Sequence, residues 1–526
     1  MQTISARMND ITVCDVEKTP PGAGFDPHGD PVDLDTPGGR FRVKWDLEGS
    51  STTHGQIVFF MRWLDAAGLF DGLCEDAPFD FKSPNAPSPR EVLSTLMCGF
   101  LCGNRRYAHL AAFREDRVLA QLCGVSRFVS SSSTRRALAR VPWDGVGSEW
   151  IQRNLAKTWE RLLNEHWLLD IDVQVKPLFG HQEGAELGYN PRHRGRPSHA
   201  YHTYWMGNIR MSLGVGVEPG NRHTSSAGTP GLAALLDRLP ADARPKLIRG
   251  DCGYGNEPLM AELERRDQPY LFRLRMSANV ARFVEREMAA PEWQPLGDGA
   301  QGRAGRIRLT GWTRERDASI IRMRKPVQKP ATKLVADAGA GEREGELELV
   351  GENETPEWEY TVLASNSGLG PGAQWQLYRE RAASENPHDE LKNQWGWGGF
   401  TTQNLDQCRL CANLLALVYN WWSLFVRTVE PGLHHREIIT TRPRMLDAPA
   451  RLTRPGGVRT LTVTPLHARR ESTCASMQEC VGFLNGLTAR QLPPKVVFRL
   501  IIERAFGDYL RSRLYDPLSA VLLSGP

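Results

Sequence analysis

The stretch WLLDIDVQV (Trp167–Val175) decides the fold, because it is short, apolar and partly β-branched, and only two acids and one glutamine interrupt it. Such a pattern predicts a buried strand. Four further stretches predict strands on the same grounds: YHTYWM (Tyr201–Met206), MSLGVGV (Met211–Val217), KLIRG (Lys246–Gly250) and PYLFRLR (Pro269–Arg275). Two helical stretches separate the last strands: GLAALLDRLP (Gly231–Pro240) and NEPLMAELERR (Asn256–Arg266). This alternation predicts an α/β fold.

Three acids stand out by their positions in this pattern. Asp172 lies within the first strand, Asp251 follows the strand KLIRG, and Glu385 lies in a later helical stretch. An RNase H-like nuclease core needs an acid on one strand, an acid at the end of another and an acid on a later helix. Carboxylates in this arrangement suit two Mg²⁺ ions, which activate water or a 3′-hydroxyl and stabilise the leaving oxygen. Asp170 is an alternative first ligand, because strand side chains alternate and it shares a face with Asp172.

The third acid lies in LYRERAASENPHDELK (Leu377–Lys392). On one continuous helix, Tyr378, Arg381, Glu385 and Lys392 would project from a single stripe. A metal-binding acid beside side chains that bind phosphate is typical of a surface that faces DNA. Pro387 opens an alternative, because proline removes a hydrogen bond inside a helix. Asn386 and Pro387 would then begin a second helix, and the stripe would break.

The stretches DIDVQV, GHQEGAELGYNPRHRGRPSHAYH, LIRGDCGYGNE and YRERAASENPHDELK together resemble the DDE transposases of bacterial insertion sequences. The chain resembles the group with the Y-x2-R-x3-E-x6-K signature and, within it, the insertion-sequence thirteen-eighty family. The resemblance covers about residues 90–450 and implies an RNase H-like (retroviral-integrase-like) core interrupted by a β-rich insertion, with helical N- and C-terminal regions. Related proteins tend to have Thr where this chain has Gln174.

The resemblance implies roles for individual residues. Asp172, Asp251 and Glu385 would be the catalytic triad and would hold two Mg²⁺ ions, with Mn²⁺ as a substitute. Tyr378, Arg381 and Lys392 would contact the DNA backbone near the cleaved end. The insertion would stabilise a hairpinned transposon end, and the tryptophans that could receive a flipped base are Trp293, Trp312 and Trp358.

The implied function is cut-and-paste transposition. A homodimer would bind double-stranded DNA at terminal inverted repeats, hydrolyse the ends, form a hairpin intermediate and join the ends to target DNA. Two alternatives stay open on the residues alone. One is a catalytically decayed, sequence-specific DNA-binding protein, and the other is a general two-metal RNase H-like nuclease.

Composition and the resemblance together imply six segments. They are a disordered arm (1–40), a helical DNA-end-binding region (41–160), the first part of the core (161–275), the β-rich insertion (276–370), the second part of the core (371–430) and a C-terminal region for dimerisation or DNA contact (431–526). Residues 116–141 resemble a helix-turn-helix, with Gly124 at the turn. Ser133 to Arg136 would open its second helix, and Arg135 and Arg136 would bind DNA. An ordinary helical hairpin with surface arginines is the alternative.

The net charge of +4 conceals segregated charge. Residues 301–330 hold nine basic and two acidic residues, and residues 331–360 hold two basic and nine acidic ones. Residues 433–470 hold eight arginines and two acids. The basic stretches predict surfaces for DNA, whereas the acidic run GEREGELELVGENE (Gly341–Glu354) predicts a solvated loop.

The most apolar stretch, residues 411–426, is shorter than a membrane span and contains Asn413 and Asn420. The first ten residues lack the apolar core of a signal peptide, so we expect a cytoplasmic, nucleoid-associated bacterial protein.

Several conspicuous residues predict packing or exposure rather than chemistry. Cys408 and Cys411 form a CxxC motif within a helical pattern, without a second ligand pair nearby, and predict a packed helix face rather than a zinc site. His434 and His435 are predicted to point apart as a surface pair. Four tryptophans are predicted to pack around the core: Trp395, Trp397, Trp421 and Trp422.

Overall fold

The computed structural model describes residues 31–163, 166–190, 193–222, 224–289, 292–324, 358–382, 385–432 and 434–511. The acidic run at 341–354 and residues 1–30 of the predicted arm lie outside these ranges. The chain divides into two compact units, Met1–Ser51 and Thr52–Pro526.

The first unit contains a β-hairpin. Strands β1 (Val32–Thr36) and β2 (Gly39–Val43) pair antiparallel, and Gly39 takes a positive φ of 108° at the turn. Asp33 and Arg42 pair across the strands at 2.8 Å. The prediction of a disordered arm is therefore wrong over residues 32–40, where apolar and charged residues alternate with the period of a strand.

Helices make up most of the chain before the main sheet. A two-residue strand β3 (Ser51–Thr52) precedes α1 (Ile57–Ala67), α2 (Leu69–Glu75), α3 (Pro89–Leu101), α4 (Arg117–Leu122), α5 (Ser131–Leu138) and α6 (Ser148–Trp159). Local sequence sets their boundaries. Ser88 and Glu91 form a reciprocal capping box at the start of α3, where Pro89 occupies the first turn.

A mixed sheet of nine strands forms the centre of the second unit. Its strands are β4 (Leu168–Pro177), β5 (Ser198–Met206), β6 (Met211–Pro219), β7 (Leu247–Gly250), β8 (Tyr270–Arg273), β9 (Gln294–Gly297), β10 (Ala300–Ile307), β11 (Arg316–Arg324) and β12 (Trp358–Ser365). They lie in the order β6-β5-β4-β7-β8-β12-β11-β10-β9. Strands β4, β7 and β8 pair parallel, and the other pairs are antiparallel. The five strands predicted from the sequence are all present.

The segment predicted as a β-rich insertion supplies β9 to β12, and these strands extend the same sheet. Strand β12 pairs antiparallel with β8, with Leu363 opposite Arg273. Between the sheet strands lie α7 (Thr229–Arg238), α8 (Glu257–Arg265) and α9 (Ala278–Met288). Thus one continuous sheet carries both the core strands and the added ones.

The remaining helices follow the sheet. They are α10 (Pro371–Ala382), α11 (Glu385–Asn393), α12 (Leu405–Val429), α13 (Ile438–Met445), α14 (Arg470–Ala489) and α15 (Pro494–Arg511), and β13 (Ala450–Thr453) pairs with β14 (Thr460–Val463). Short 3₁₀ segments lie at Tyr107–Phe113, Glu160–Leu162, Ala241–Ala243 and Pro455–Gly457, and π-helical turns at Trp143–Gly147 and Thr224–Gly228.

Helix α12 is the centre of the helical body. The indole of Trp63 in α1 donates to the Thr428 hydroxyl at 3.0 Å, and Arg504 in α15 donates to the Thr428 carbonyl at 2.8 Å. Cys408 and Cys411 are buried in α12, as their helical spacing predicts. Trp395, Trp397, Trp421 and Trp422 are also buried. None of the helices in the described part of the chain has the length and apolarity that a membrane span requires.

The two faces of the sheet are covered by different helices. Leu168, Leu247 and Leu271 share a small apolar cluster with Leu377 of α10, so α10 covers one face. On the opposite face, Glu264 of α8 accepts a hydrogen bond from the Tyr270 hydroxyl at 2.8 Å. Side chains at alternating positions of β4, β7 and β8 therefore face α10 or α8.

Candidate active site

The parallel pairing of β4 with β7 brings two of the predicted acids together. Asp170 is opposite Arg249, and Ile171 is opposite Gly250. The next step of this register places Asp251, the residue after β7, beside Asp172. Neighbouring strands lie about 4.8 Å apart, and both acids fall on the face covered by α10 by alternation from Asp170 and Arg249.

The electrostatics of Asp251 agree with this geometry. Burial raises its pKa, and the negative charge of Asp172 raises it further, while Arg381 opposes both. The Asp251 carboxylate accepts a hydrogen bond from the Gly253 amide at 2.9 Å, which fixes it within the turn after β7. Two partly buried carboxylates of like charge make a site that a cation would stabilise.

Asp170 is not part of this pair of acids. Its two oxygens lie 2.6 Å from Nε and 2.8 Å from Nη2 of Arg249, and each residue is 2% exposed. A bidentate ion pair occupies both carboxylate oxygens. The glycine at 207 is required by this pair, since a Cβ there would lie 2.0 Å from Oδ2 of Asp170. The two acids of β4 therefore have different surroundings: Asp170 is ion-paired in the core, and Asp172 lies beside Asp251.

The same arginine anchors helix α10. Arg249 donates through Nη1 to the carbonyl of Leu377 at 2.7 Å. One turn later, Nη2 of Arg381 lies 3.5 Å from Oδ1 of Asp172 and donates to the Ile171 carbonyl at 3.4 Å. Burial lowers the pKa of Arg381, but the nearby carboxylates, Asp172 first, outweigh burial and raise it. With 6% exposure, this predicted DNA contact is directed at Asp172.

Tyr378, the other predicted DNA contact on α10, lies at the edge of the same site. Burial raises the pKa of its hydroxyl, and the nearby cations Arg381 and Arg273 oppose this. Arg273 ends β8 and hydrogen bonds to the Tyr378 side chain. The ends of β7 and β8 thus meet the C-terminal half of α10.

The single stripe predicted for the signature residues is wrong, and the alternative of two helices is correct. Helix α10 ends at Ala382, and α11 begins at Glu385, one residue earlier than the predicted Asn386 cap. Pro387 lies in the first turn of α11, where amide groups have no partner within the helix and a missing N–H costs little. Lys392 consequently lies in the last turn of the second helix.

His388 is a site residue that the sequence reasoning missed. Its Nε2 lies 3.3 Å from Oδ2 of Asp172 and 3.4 Å from the Thr203 hydroxyl. Position 385 precedes it by three residues, about one helical turn, so the start of α11 is brought to Asp172. The side chain of Glu385 lies outside the described residues. The position of His388 one helical turn after the third predicted acid was the feature of the sequence that could have identified it.

The donor chemistry fits Mg²⁺ or Mn²⁺. Asp172 and Asp251 offer hard oxygen ligands side by side, which these ions prefer. Among the side chains that the structure describes, no group of three or more His, Cys, Asp or Glu has the geometry of a metal site. A third carboxylate would have to come from position 385.

The arginines of the predicted helix-turn-helix, Arg135 and Arg136, lie on helix α5. Gly124 takes a positive φ of 69° at the predicted turn. Helix α5, however, begins at Ser131 with Ser130 as its cap, so Arg135 and Arg136 lie in its last turn and do not open it. Both side chains are exposed, and α4 and α5 have only six and eight residues.

The candidate tryptophans differ in their surroundings. Trp293 and Trp358 both lie against Arg322, whose guanidinium carbon is 4.0 Å and 4.6 Å from the two ring centroids. Trp312 is buried against Arg316.

The predicted surface pair of histidines is wrong for one member. His434 is exposed, but the side chain of His435 is buried and its Nε2 lies 2.6 Å from Oε2 of Glu390. Glu390 lies 45 residues earlier in the chain, and no local pattern reveals such a partner.

Residues 163–421 match the family model of the transposase DDE domain. The matched residues begin just before β4, end within α12 and include Asp172, Asp251 and Glu385.

Among solved structures, the chain is similar to the piggyBac transposase synaptic complex with hairpin DNA. The identity is 9% over 86% of this chain and 85% of that chain, with a TM-score of 0.37. No curated protein matches the sequence.

Proposed function

We propose that the protein is a cut-and-paste DDE transposase with an RNase H-like core, whose catalytic residues are Asp172, Asp251 and Glu385. The observation that carries the proposal is the β4–β7 register, which brings Asp172 and Asp251 together on one face of the sheet. The DDE domain match supports the same chemistry. Contacts of Arg381 and His388 with Asp172 support a site assembled from two strands and two helices.

The three acids would hold two Mg²⁺ ions, or Mn²⁺ in their place. Bound ions of this kind activate water or a 3′-hydroxyl and stabilise the leaving oxygen at phosphorus. The protein contributes orientation: the parallel register holds two ligands, and the start of α11 presents the third. The raised pKa of Asp251 supports a site that is incomplete without a cation.

The DNA partners would be the terminal inverted repeats of the element and a target duplex, at the bacterial nucleoid. We assign phosphate contacts to Tyr378, Arg381 and Lys392, and contacts to the transposon end to Arg135 and Arg136. Arginine forks bind phosphate oxygens through paired hydrogen bonds. Since two ends must be cut and joined together, the active form would be a homodimer.

A hairpin intermediate would need a ring that receives an unstacked base. We assign this role to Trp358, which is half-buried and whose ring centroid lies 4.6 Å from the guanidinium carbon of Arg322 and 5.6 Å from that of Arg324. Stacking on an aromatic ring contributes about 1–3 kcal/mol per base. Trp358→Ala should reduce hairpin formation but spare first-strand nicking, whereas Trp312→Ala should act only through stability. Equal hairpin yield from Trp358→Ala and the wild type would refute the assignment.

The test of the proposed function is metal-dependent cleavage of duplexes taken from the two flanks of the reading frame. Wild type should nick them with Mg²⁺ or Mn²⁺ and not with EDTA. Asp172→Asn, Asp251→Asn and Glu385→Gln should abolish nicking without loss of fold. Asp389→Asn is the matched control, because Asp389 is an exposed acid on α11 itself.

The outcomes separate the candidate functions. If Asp251→Asn and Glu385→Gln cleave like the wild type, the catalytic assignment fails. If the wild type binds the flanking DNA specifically but never cuts it, the protein is a sequence-specific DNA-binding protein. Equal cutting of unrelated duplexes identifies a general nuclease.

A further inference from the structure

Glu390 is a buried carboxylate on the helix that carries position 385. It is 1% exposed, and its two oxygens contact three groups from outside α11. Oε2 lies 2.6 Å from Nε2 of His435, and Oε1 accepts from the Trp395 indole at 3.1 Å and from the Ile438 amide at 3.0 Å. All of this carboxylate's partners lie in the segments that follow α11.

A chain of ring contacts leads from these partners back to the active site. His435 lies against Tyr419 of α12, with ring centroids 5.4 Å apart, and Tyr419 lies 5.4 Å from Trp205 of β5. Trp205 in turn meets the ring of His388 edge-on at 5.9 Å. Helix α11 is therefore held at His388 against the sheet and at Glu390 against α12 and the start of α13.

A buried carboxylate is costly unless its hydrogen bonds are complete. Burial raises the pKa of Glu390, but hydrogen bonds from His435, Ile438 and Trp395 outweigh burial and lower the pKa, so the carboxylate form is favoured. Asp389, the neighbouring acid, is exposed and bonds only within α11, to Asn393 at 2.6 Å. The fully bonded, buried position of Glu390 is thus specific to that residue.

We propose that Glu390 is a positioning residue for the reaction, which fixes α11 so that position 385 and His388 stand correctly against Asp172. This inference rests on the proposed function. Glu390 does not itself touch the acids of the site. It acts through the rigid helix, since residues 385 and 390 are separated by less than two helical turns. Misplacement of a catalytic group by about 1 Å can cost about 100-fold in rate.

The experiment compares full-length Glu390→Ala, Glu390→Asp and Glu390→Gln with Asp389→Asn. Three quantities are measured well below each variant's melting temperature: the single-turnover nicking rate on flanking DNA with Mg²⁺, the DNA dissociation constant without metal, and hydrogen exchange of the α11 amides. Glu390→Ala should slow nicking by about 100-fold with unchanged DNA affinity and faster exchange in α11. Glu390→Gln, which keeps an acceptor for Ile438, should recover most of the rate, and Asp389→Asn should match the wild type.

A purely structural role would leave a different signature. Glu390→Ala would then lower the melting temperature but nick at the wild-type rate wherever it is folded, and that result overturns the proposal. Should Glu390→Ala fail to fold, Glu390→Asp decides, because it keeps the charge but shortens the reach. A wild-type rate and wild-type α11 exchange in Glu390→Asp would also overturn the proposal.

A failure of the proposed function can be distinguished from a failure of the role proposed for Glu390. In that case Glu385→Gln nicks like the wild type. If Glu385→Gln is inactive but Glu390→Ala is fully active, only the role of Glu390 is refuted.

Discussion

Two aspartates two residues apart on β4 should respond in opposite ways to the same substitution. Asp170 is 2% exposed and bidentately paired with Arg249, whereas Asp172 lies beside a second carboxylate. We predict that Asp170→Asn destabilises the fold and that Asp172→Asn abolishes activity with little loss of stability. Because both variants make the same Asp→Asn change, the comparison distinguishes a structural acid from a catalytic one.

The magnitude follows from burial. Asp170→Asn removes the buried carboxylate that the guanidinium of Arg249, itself 2% exposed, binds through two hydrogen bonds, and leaves it only the half-exposed Glu380 at 3.9 Å. Removing one member of a buried ion pair costs about 3–5 kcal/mol. This is a large part of the roughly 5–15 kcal/mol that stabilises a typical domain. Asp172→Asn weakens the contacts with Arg381 and His388 but also relieves the repulsion from Asp251, and because these effects oppose one another we expect a change of about 1 kcal/mol.

The assay is urea unfolding of both variants, followed by thermal melts with and without Mn²⁺. A ligand at 100 times its dissociation constant stabilises by about 2.7 kcal/mol. The wild type should gain melting temperature from Mn²⁺, and Asp172→Asn should gain none. Asp170→Asn should unfold at lower urea but keep the Mn²⁺ response wherever it is folded.

The opposite result for the two variants would refute the roles assigned to Asp170 and Asp172. A stable, inactive Asp170→Asn that has lost the Mn²⁺ response, together with an active Asp172→Asn, would make Asp170 the ligand. Wild-type stability of Asp170→Asn alone would show that the buried pair does not hold the sheet.

Three further predictions concern stability. Hydrogen bonding to Asp447 outweighs burial and raises the pKa of His54 to about 10. His54 should therefore stabilise the fold fully below pH ~6.5 and progressively less as the pH rises through about 10. The difference in urea stability between the wild type and His54→Gln should shrink at alkaline pH. Burial lowers the pKa of Lys176 to about 8, so stability should gain from this residue as pH rises from about 8 toward ~10.5, and urea titrations of Lys176→Met should lack that gain. Gly207→Ala forces a Cβ against Asp170 and should cost about 1–3 kcal/mol in the same unfolding assay.

Local sequence patterns were sufficient to predict the five core strands and to offer a second helix that begins near Pro387. The β4 stretch alternates and is β-branched, and the fixed backbone angle of proline suits only the first turn of a helix. Local patterns could not show which of Asp170 and Asp172 is the candidate metal ligand, because both residues share one face of one strand. The residue that distinguishes them, Arg249, lies 79 positions later on β7.

Long-range contacts explain the other differences. The sequence predicted a β-rich insertion over residues 276–370, but the addition of its strands to the core sheet depends on β12 pairing with β8, and hydrophobic periodicity does not specify which strands become neighbours. His435 looked like half of a surface pair because its partner, Glu390, is remote in sequence. The hairpin at 32–43 was hidden by a composition rich in Pro, Gly and Asp, which outweighed its alternation.

The added strands are part of the architecture that assembles the active site. One apolar cluster runs beneath α10 from the core strands to the added ones, and its members include Leu168, Leu247, Leu271, Ala300, Ile321, Leu363 and Leu377. Helix α10 is thus seated partly on β10 to β12, while Arg249 ties Leu377 to β7. Because Arg381 follows Leu377 by one turn, its distance to Asp172 depends on both halves of this seat. Strands β10 to β12 therefore support α10 independently of any contact with DNA.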